Sequence, residues 1–372
     1  MKIKDMEKFE GLNVSSKYGI CGLPIRVDSY KTCSFGCRYC FANGRKIMEF
    51  DKTLLIADTA SIERRLDRIF GQQDVQTDNF LDQLIAHRIT WHFGGMSDPF
   101  QPCNQELRVT NDIIDIGNRY GITMLFSTKS NTLHNANVRP DLHTFQLSVS
   151  NVNDRRDIEP NVPPISERID LFRWLKHEGF RVGIRIQPFI PNVSTLDIVK
   201  AFDGADHFII EGLKVIPQEG EQKDYCFGEL GENPKHYTQM GLMNMLPEKR
   251  LQLYQPFIDY FQAHGISYSV SDNDLRWMGN NRCCCGDALV SKATGFDTTA
   301  LCMKYGRRWR LQDALKEVGG VFLQCKASDL VASNRIYGCR TVEDFYRKRH
   351  TEQSSPMSPR FQYIPQPRLD FD

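Results

Sequence analysis

Tyr30-Lys31-Thr32-Cys33-Ser34-Phe35-Gly36-Cys37-Arg38-Tyr39-Cys40-Phe41-Ala42 closes the first strand-like run of the chain, and its three cysteines stand in a Cys-x3-Cys-x2-Cys spacing. That spacing lets one short loop wrap three thiolates around one face of an iron–sulfur cube. Three protein ligands leave one iron of a [4Fe–4S] cluster open. An open iron can chelate the amino and carboxylate groups of S-adenosylmethionine and deliver an electron to its sulfonium, which releases a 5′-deoxyadenosyl radical. The competing readings are a zinc knuckle and three incidental thiols. A structural zinc site usually takes four protein ligands, often as paired Cys-x2-Cys clips, and this loop supplies one clip with an extra cysteine.

Outward from the loop, the chain alternates short β-rich runs with amphipathic stretches from about Gly22 to Val270. Strands are predicted over Ile25–Tyr30, Ile89–Phe93, Thr123–Ser127, Phe145–Val149, Arg181–Ile186 and His207–Leu213. Helical spacing fills Ala60–Phe70, Asn79–Arg88, Asn104–Tyr120, Ser166–Glu178, Thr195–Phe202 and Pro247–His264. This alternation predicts an α/β fold with a parallel sheet, a partial (β/α)6 TIM-type barrel whose loops after the strands carry the chemistry. The rhythm fails beyond Ser271. The expected organisation is an N-terminal segment 1–21, the barrel 22–270, a cysteine-containing and basic extension 271–350 and an extended tail 351–372 rich in proline, serine and glutamine.

Bulk composition narrows the class. Of 372 residues, 41% are hydrophobic and 25% charged, and 47 Lys and Arg balance 46 Asp and Glu, so no global field draws the chain to nucleic acid or to an anionic membrane. The opening residues lack the apolar core of a signal peptide, and no apolar run is long enough to span a bilayer, so a cytoplasmic protein without a membrane partner is expected. In a reducing compartment, twelve cysteines point to metal ligation, catalysis or buried thiols in preference to a disulfide framework.

The cysteine loop resembles the signature of the radical S-adenosylmethionine superfamily, and later segments resemble its branch containing spore photolyase. Gly94-Gly95-Met96-Ser97-Asp98-Pro99-Phe100-Gln101-Pro102 is similar to that branch's Asp-Pro-Tyr-Gln-Pro loop, and Ser127-Thr128-Lys129-Ser130 to its Thr-Lys-Ser strand end. Ser148-Val149-Ser150, Glu159-Pro160, Glu167-Arg168 and Arg185-Ile186-Gln187-Pro188 follow in family order, over roughly residues 22 to 215. The resemblance implies that Cys33, Cys37 and Cys40 hold the cluster. It implies that Ser97, Lys129 and Ser148 contact S-adenosylmethionine, that Gly94 and Gly95 let backbone approach the methionine ammonium, and that Asp98 and Arg185 are polar neighbours. An external one-electron reductant such as flavodoxin or ferredoxin is implied as well.

The sequence departs from spore photolyase where the reaction ends. That enzyme quenches its substrate radical with a cysteine placed directly before the Ser-Asp step, where this chain has Met96. The family tyrosine after the third cluster cysteine is Phe41 here, although Tyr39 is retained. Neither a thioether nor a phenyl ring carries a transferable S–H or O–H hydrogen. Replacement donors are sought in Cys103, Cys226 and the Cys283-Cys284-Cys285 group, with Tyr39, Cys226 and Cys284 as catalytic candidates; otherwise 5′-deoxyadenosine returns the hydrogen. Cys283, Cys285 and Cys302 are candidate ligands of an auxiliary metal site, and small buried thiols are the alternative.

By analogy the substrate is a nucleobase in DNA, thymine or a modified thymine, which is rearranged or modified. Lys304-Tyr305-Gly306-Arg307-Arg308-Trp309-Arg310 combines phosphate-seeking cations with aromatic faces able to stack on an extruded base. The alternatives are a thymine-dimer-type repair lyase, a peptide or protein side-chain-modifying enzyme with an auxiliary cluster, and a non-enzymatic iron–sulfur or zinc module.

Overall fold

Runs such as Met124–Thr128 and His143–Ser148 are buried at almost every position, the pattern of strands covered on both faces. In the computed structural model these runs assemble into one eight-stranded sheet. The structure describes residues 6–15, 23–42, 54–71, 79–238, 242–272, 275–281 and 289.

In chain order the strands are β1 (Lys8–Phe9), β2 (Leu12–Val14), β3 (Ile25–Val27), β4 (Ile56–Ala57), β5 (Trp91–Phe93), β6 (Met124–Thr128), β7 (His143–Ser148), β8 (Arg181–Phe189), β9 (His207–Gly212), β10 (Lys214–Val215), β11 (Met243–Asn244) and β12 (Tyr268–Val270). The helices are α1 (Thr59–Phe70), α2 (Phe80–Ala86), α3 (Asn104–Leu107), α4 (Val109–Arg119), α5 (Ile165–His177), α6 (Asp197–Ala201), α7 (Glu221–Asp224) and α8 (Pro247–Ala263). The main sheet has the order β12-β9-β8-β7-β6-β5-β3-β2. Its strands run parallel except β2, which pairs antiparallel with β3. From β3 onward each strand lies beside its predecessor in the sheet. This is the winding of a (β/α) barrel and the fold class expected above.

Period-two alternation gives the sheet two different faces. Trp91, Phe93, Phe126, Phe145, Ile184 and Ile210 point into the apolar core shared with α1, α4, α5 and α8. Phe126 lies at the centre of this layer, its ring centroid 4.6 Å from Phe93 and 5.4 Å from Phe145. The residues between them, His92, Ser127, Gln146, Arg185 and Glu211, line the opposite face with polar groups. Leu289 lies against that polar face. Its carbonyl accepts from Thr144 Oγ1 at 2.8 Å, and its Cδ1 fills space that a Cβ at Gly183 would need, at 2.8 Å.

Beyond shifts of a few residues at element ends, two predicted elements differ for reasons visible in side-chain contacts. The helix expected over Asn104–Tyr120 breaks at Arg108, whose φ of 52° is left-handed. Asn104 Oδ1 accepts both Tyr30 Oη at 2.6 Å and the Thr110 amide at 3.0 Å, so the side chain competes with the helical ladder and starts a second helix. The strand expected over Ile25–Tyr30 ends at Val27, where Asp28 turns its carboxylate to Arg26 at 2.8 Å and to the Met96 amide at 3.2 Å. Among the described residues no helix is long and apolar enough to cross a membrane. Cys283, Cys284, Cys285, Cys302 and the basic run Lys304–Arg310 lie outside the described residues.

Candidate active site

The three-cysteine loop leaves β3 at the C-terminal edge of the sheet and is fixed through its backbone. The Gln101 side chain spans it, accepting from the Ser34 amide at 2.8 Å and donating to the Thr32 carbonyl at 2.8 Å. Asn161 donates to the Ser34 carbonyl at 3.0 Å, the Arg38 amide reaches the Ile158 carbonyl at 3.0 Å, and Gln222 Nε2 donates to the Tyr39 carbonyl at 2.9 Å. Gly36, with φ of 62°, makes the turn between the first two cysteines. Cys37 is buried, and Cys33 and Cys40 are half-buried.

These residues fit an iron–sulfur cluster. All three thiols are free, and Cys40 lies close enough to Cys33 and Cys37 to add to the rise of both their thiols. Burial pushes the Cys33 thiol up to about 12, with Asp98 adding to the rise and the Phe35 and Asp98 amides opposing it. Burial and Glu159 likewise push Cys37 above the ordinary thiol range, against the opposing charge of Lys129. Such thiols need a compensating cationic centre to become thiolates. Among the described residues no three His, Cys, Asp or Glu side chains converge on a single metal ion. A cube that takes its thiolates at separate corners does not require that convergence.

The predicted cofactor residues gather at neighbouring strand ends, and most are engaged with protein partners. Gly94, after β5, has φ of 87°, and a Cβ there would lie 2.2 Å from the Ser127 carbonyl oxygen. Close packing of two strands requires this glycine. A Cβ at Gly95 would meet the flexible Arg26 side chain at 2.7 Å. Ser97 donates to the Tyr30 carbonyl at 2.6 Å, tying the β5 loop to the cysteine loop. Asp98 accepts from the Phe100 amide at 2.9 Å, Thr128 Oγ1 at 2.7 Å and the Lys129 amide at 2.6 Å, which locks that loop onto the end of β6. Lys129 Nζ pairs with Glu159 Oε1 at 2.7 Å and also reaches the Ser148 carbonyl at 3.3 Å. Arg185 donates to Gln146 Oε1 at 2.9 Å and to Gln187, with Glu211 at 3.9 Å.

Glu159, quoted above as part of a motif but given no role, is the centre of this arrangement. It accepts from the Tyr39 hydroxyl and from Lys129. Burial alone would raise its carboxyl, but Lys129, Arg168 and the Tyr39 hydroxyl outweigh burial and hold it below the ordinary glutamate range. The Tyr39 hydroxyl is therefore directed into a buried ion pair, and burial with the nearby Cys37 and Glu159 charges drives its ionisation far out of reach. Arg168, also buried, donates to the Ser148 carbonyl. Cys226 is fully buried in the apolar cluster containing Phe35, Cys37 and Tyr39, and burial pushes its thiol up to about 12. Cys103 lies apart, half-buried before α3. Met96 and Phe41 are both half-buried.

No family model matches the sequence. An uncharacterized protein of Methanocaldococcus jannaschii is 24% identical over 194 residues, covering 48% of this chain and 66% of that protein, just under two thirds of its length. Among solved structures, spore photoproduct lyase complexed with dinucleoside spore photoproduct superposes with a TM-score of 0.51 at 12% identity, covering 70% of this chain and 78% of that one. A tyrosine-to-phenylalanine variant of the same enzyme gives a TM-score of 0.52 at 12% identity over 71% and 80% of the two chains. A doubly substituted form with bound AdoMet and the dinucleoside gives 0.50 at 12% over 69% and 78%. Parallel strands wound in chain order, with a clamped three-cysteine loop at their C-terminal edge, have the fold of the radical S-adenosylmethionine enzymes, in the form seen in spore photoproduct lyase.

Proposed function

We propose that this chain is a radical S-adenosylmethionine enzyme that rearranges or modifies a thymine or modified-thymine base in DNA. The observation that carries the reading is the cysteine loop, held by Gln101, Asn161 and Gln222 over strand ends where Lys129, Ser148 and Arg185 meet. Cys33, Cys37 and Cys40 would hold a [4Fe–4S] cluster, and the polar strand ends would seat S-adenosylmethionine. When bound, the pair supplies a 5′-deoxyadenosyl radical that abstracts hydrogen from substrate.

The protein's part is to hold and orient. Glu159 keeps Lys129 and Tyr39 in one place, and Asp98 fixes the β5 and β6 loops to each other. The allylic 5-methyl carbon of thymine, or a group attached there, is the chemically reasonable abstraction site. Met96 and Phe41 offer no transferable hydrogen, and the Tyr39 hydroxyl is bound to Glu159, so cleavage of a dimer by a thiol-to-tyrosine relay is disfavoured relative to a rearrangement. The neighbouring spore photoproduct lyase, solved with a dinucleoside photoproduct, supports a nucleobase substrate. A flavodoxin or ferredoxin is the proposed electron source.

The test is anaerobic reconstitution with iron and sulfide, then incubation with S-adenosylmethionine, dithionite and DNA, and mass spectrometry of 5′-deoxyadenosine and digested nucleosides. The expected result is 5′-deoxyadenosine formation with a DNA-dependent change in a thymine nucleoside. Absence of 5′-deoxyadenosine from a cluster-loaded protein overturns the radical chemistry; its formation without any change in DNA overturns the substrate.

A further inference from the structure

Gln146 lies near the middle of β7 on the polar face of the sheet and is fully buried. Its Oε1 accepts from Arg185 Nη1 at 2.9 Å and from Ser127 Oγ at 3.0 Å, and Ser127 Oγ is in turn 3.0 Å from His92 Nε2. With the serine hydrogen directed at Gln146, His92 Nε2 donates to the serine oxygen. Three strands thus feed donors toward one amide oxygen.

This arrangement fixes which end of the amide is which. A guanidinium can only donate, so the atom facing Arg185 must be the carbonyl oxygen, and the NH2 group must point the other way. There Nε2 is buried and has no hydrogen-bond partner among the described residues. Leaving a buried donor unmade costs about 1–3 kcal/mol, and such groups ordinarily find a ligand or a water. The two donors drawing on the oxygen also polarise the amide and make its N–H a better donor.

Position along the strand sets this amide one layer below the cofactor residues Ser148 and Arg185, the second of which it meets by hydrogen bond. Gln146 pairs with Ser127 and Gly183, whereas Ser148 pairs with Arg185 one layer nearer the C-terminal edge, roughly 7 Å higher at a strand rise of about 3.3 Å per residue. Beside Gln146 on β8 stands Gly183, and Leu289 Cδ1 fills the space that a side chain there would take.

We propose that Gln146 Nε2 is a substrate-recognition donor that receives an exocyclic carbonyl oxygen of the base, selecting thymine, with a C4 carbonyl, over cytosine, with a C4 amine. This rests on the nucleobase reading above. His92, Ser127 and Arg185 set the polarity by holding the amide oxygen. Gln146→Glu keeps an acceptor for Arg185 and replaces the donor with a second acceptor, which suits the cytosine amine and repels a carbonyl.

The experiment is equilibrium dialysis of thymidylyl-thymidine and deoxycytidylyl-deoxycytidine against the anaerobically reconstituted holoenzyme with S-adenosylmethionine, and melting of the cluster-free proteins. Wild type is expected to prefer the thymine dinucleotide. Gln146→Glu should move the ratio of affinities by about tenfold or more toward cytosine while melting no lower than wild type. Gln146→Met, which removes the donor without adding charge, should abolish the preference. An unchanged preference in both variants overturns the role of Gln146, assigns a water to the amide and leaves the nucleobase reading standing. Failure of wild type to bind either dinucleotide overturns the nucleobase reading and this inference with it.

Discussion

Replacing Glu159 removes one partner of a buried ion pair and leaves the other behind. The Glu159 and Lys129 side chains are only 6% and 12% exposed and meet at 2.7 Å. Breaking such a pair from one side costs about 3–5 kcal/mol, because the remaining charge stays desolvated. Glu159→Ala also strips the acceptor from the Tyr39 hydroxyl, whose other contact is Ser150 Oγ at 3.3 Å. The single variant should therefore lose about 3–5 kcal/mol. Lys129→Met should lose less, because Arg168 still offsets the Glu159 charge and Tyr39 still donates to it. In Glu159→Ala/Lys129→Met the Lys129 charge is no longer stranded, while buried Arg168 loses the Glu159 charge just as it does in Glu159→Ala, so the double variant should be more stable than the sum of the singles by about 2 kcal/mol. Urea unfolding of the cluster-free protein, followed by tryptophan fluorescence under reducing conditions, measures all four corners of the cycle. Additivity within about 0.5 kcal/mol would refute the claim that Glu159 and Lys129 act as a buried pair.

Four further outcomes are expected. His143 is buried, and desolvation lowers its pKa from 6.5 to about 4, so between those values the unfolded chain binds a proton that the folded chain refuses. Stability should be flat in this respect above pH 6.5 and fall by about 3 kcal/mol as pH drops to 4; His143→Gln should remove that slope from pH-dependent unfolding curves. Gly94→Ala places a methyl 2.2 Å from a backbone oxygen at a φ of 87° and should cost about 2 kcal/mol or more, read as a lowered melting temperature. Leu289→Ala should cost about 2–5 kcal/mol in the same assay, and an unchanged melting point would place Leu289 outside the packed sheet face. Cys33→Ala should abolish the visible absorbance of the reconstituted cluster and all 5′-deoxyadenosine production while leaving the far-ultraviolet circular dichroism of the cluster-free protein unchanged.

The fold was readable because its strands are short apolar runs separated by amphipathic stretches, and that period is local. Strand order followed from alternation, since a parallel neighbour needs a crossover and the shortest crossover joins consecutive strands. The break at Arg108 was not readable, because it depends on Tyr30 reaching the Asn104 side chain across 74 residues. Within the site, the cysteine loop and the identities of Ser97, Asp98 and Lys129 stood out as motifs, but their partners did not. Ser97 and Asp98 bind backbone of the loops around them, and Lys129 binds Glu159, pairings that exist only once the strand ends are brought together. Gln146 did leave a trace in the sequence. An amide inside His143-Thr144-Phe145-Gln146-Leu147-Ser148, a run buried at nearly every position, has no packing reason to be there.

The winding of the sheet also sets an order of assembly. Because β3, β5, β6, β7, β8, β9 and β12 pair each with the one before, every strand leaving a ribosome finds its template already made, and no early edge waits for a distant partner. Leu289 comes after all of them. Its contacts with Thr144 on β7 and Gly183 on β8 are therefore made only after both strands are already paired, so this part of the polar face packs after the sheet that carries it.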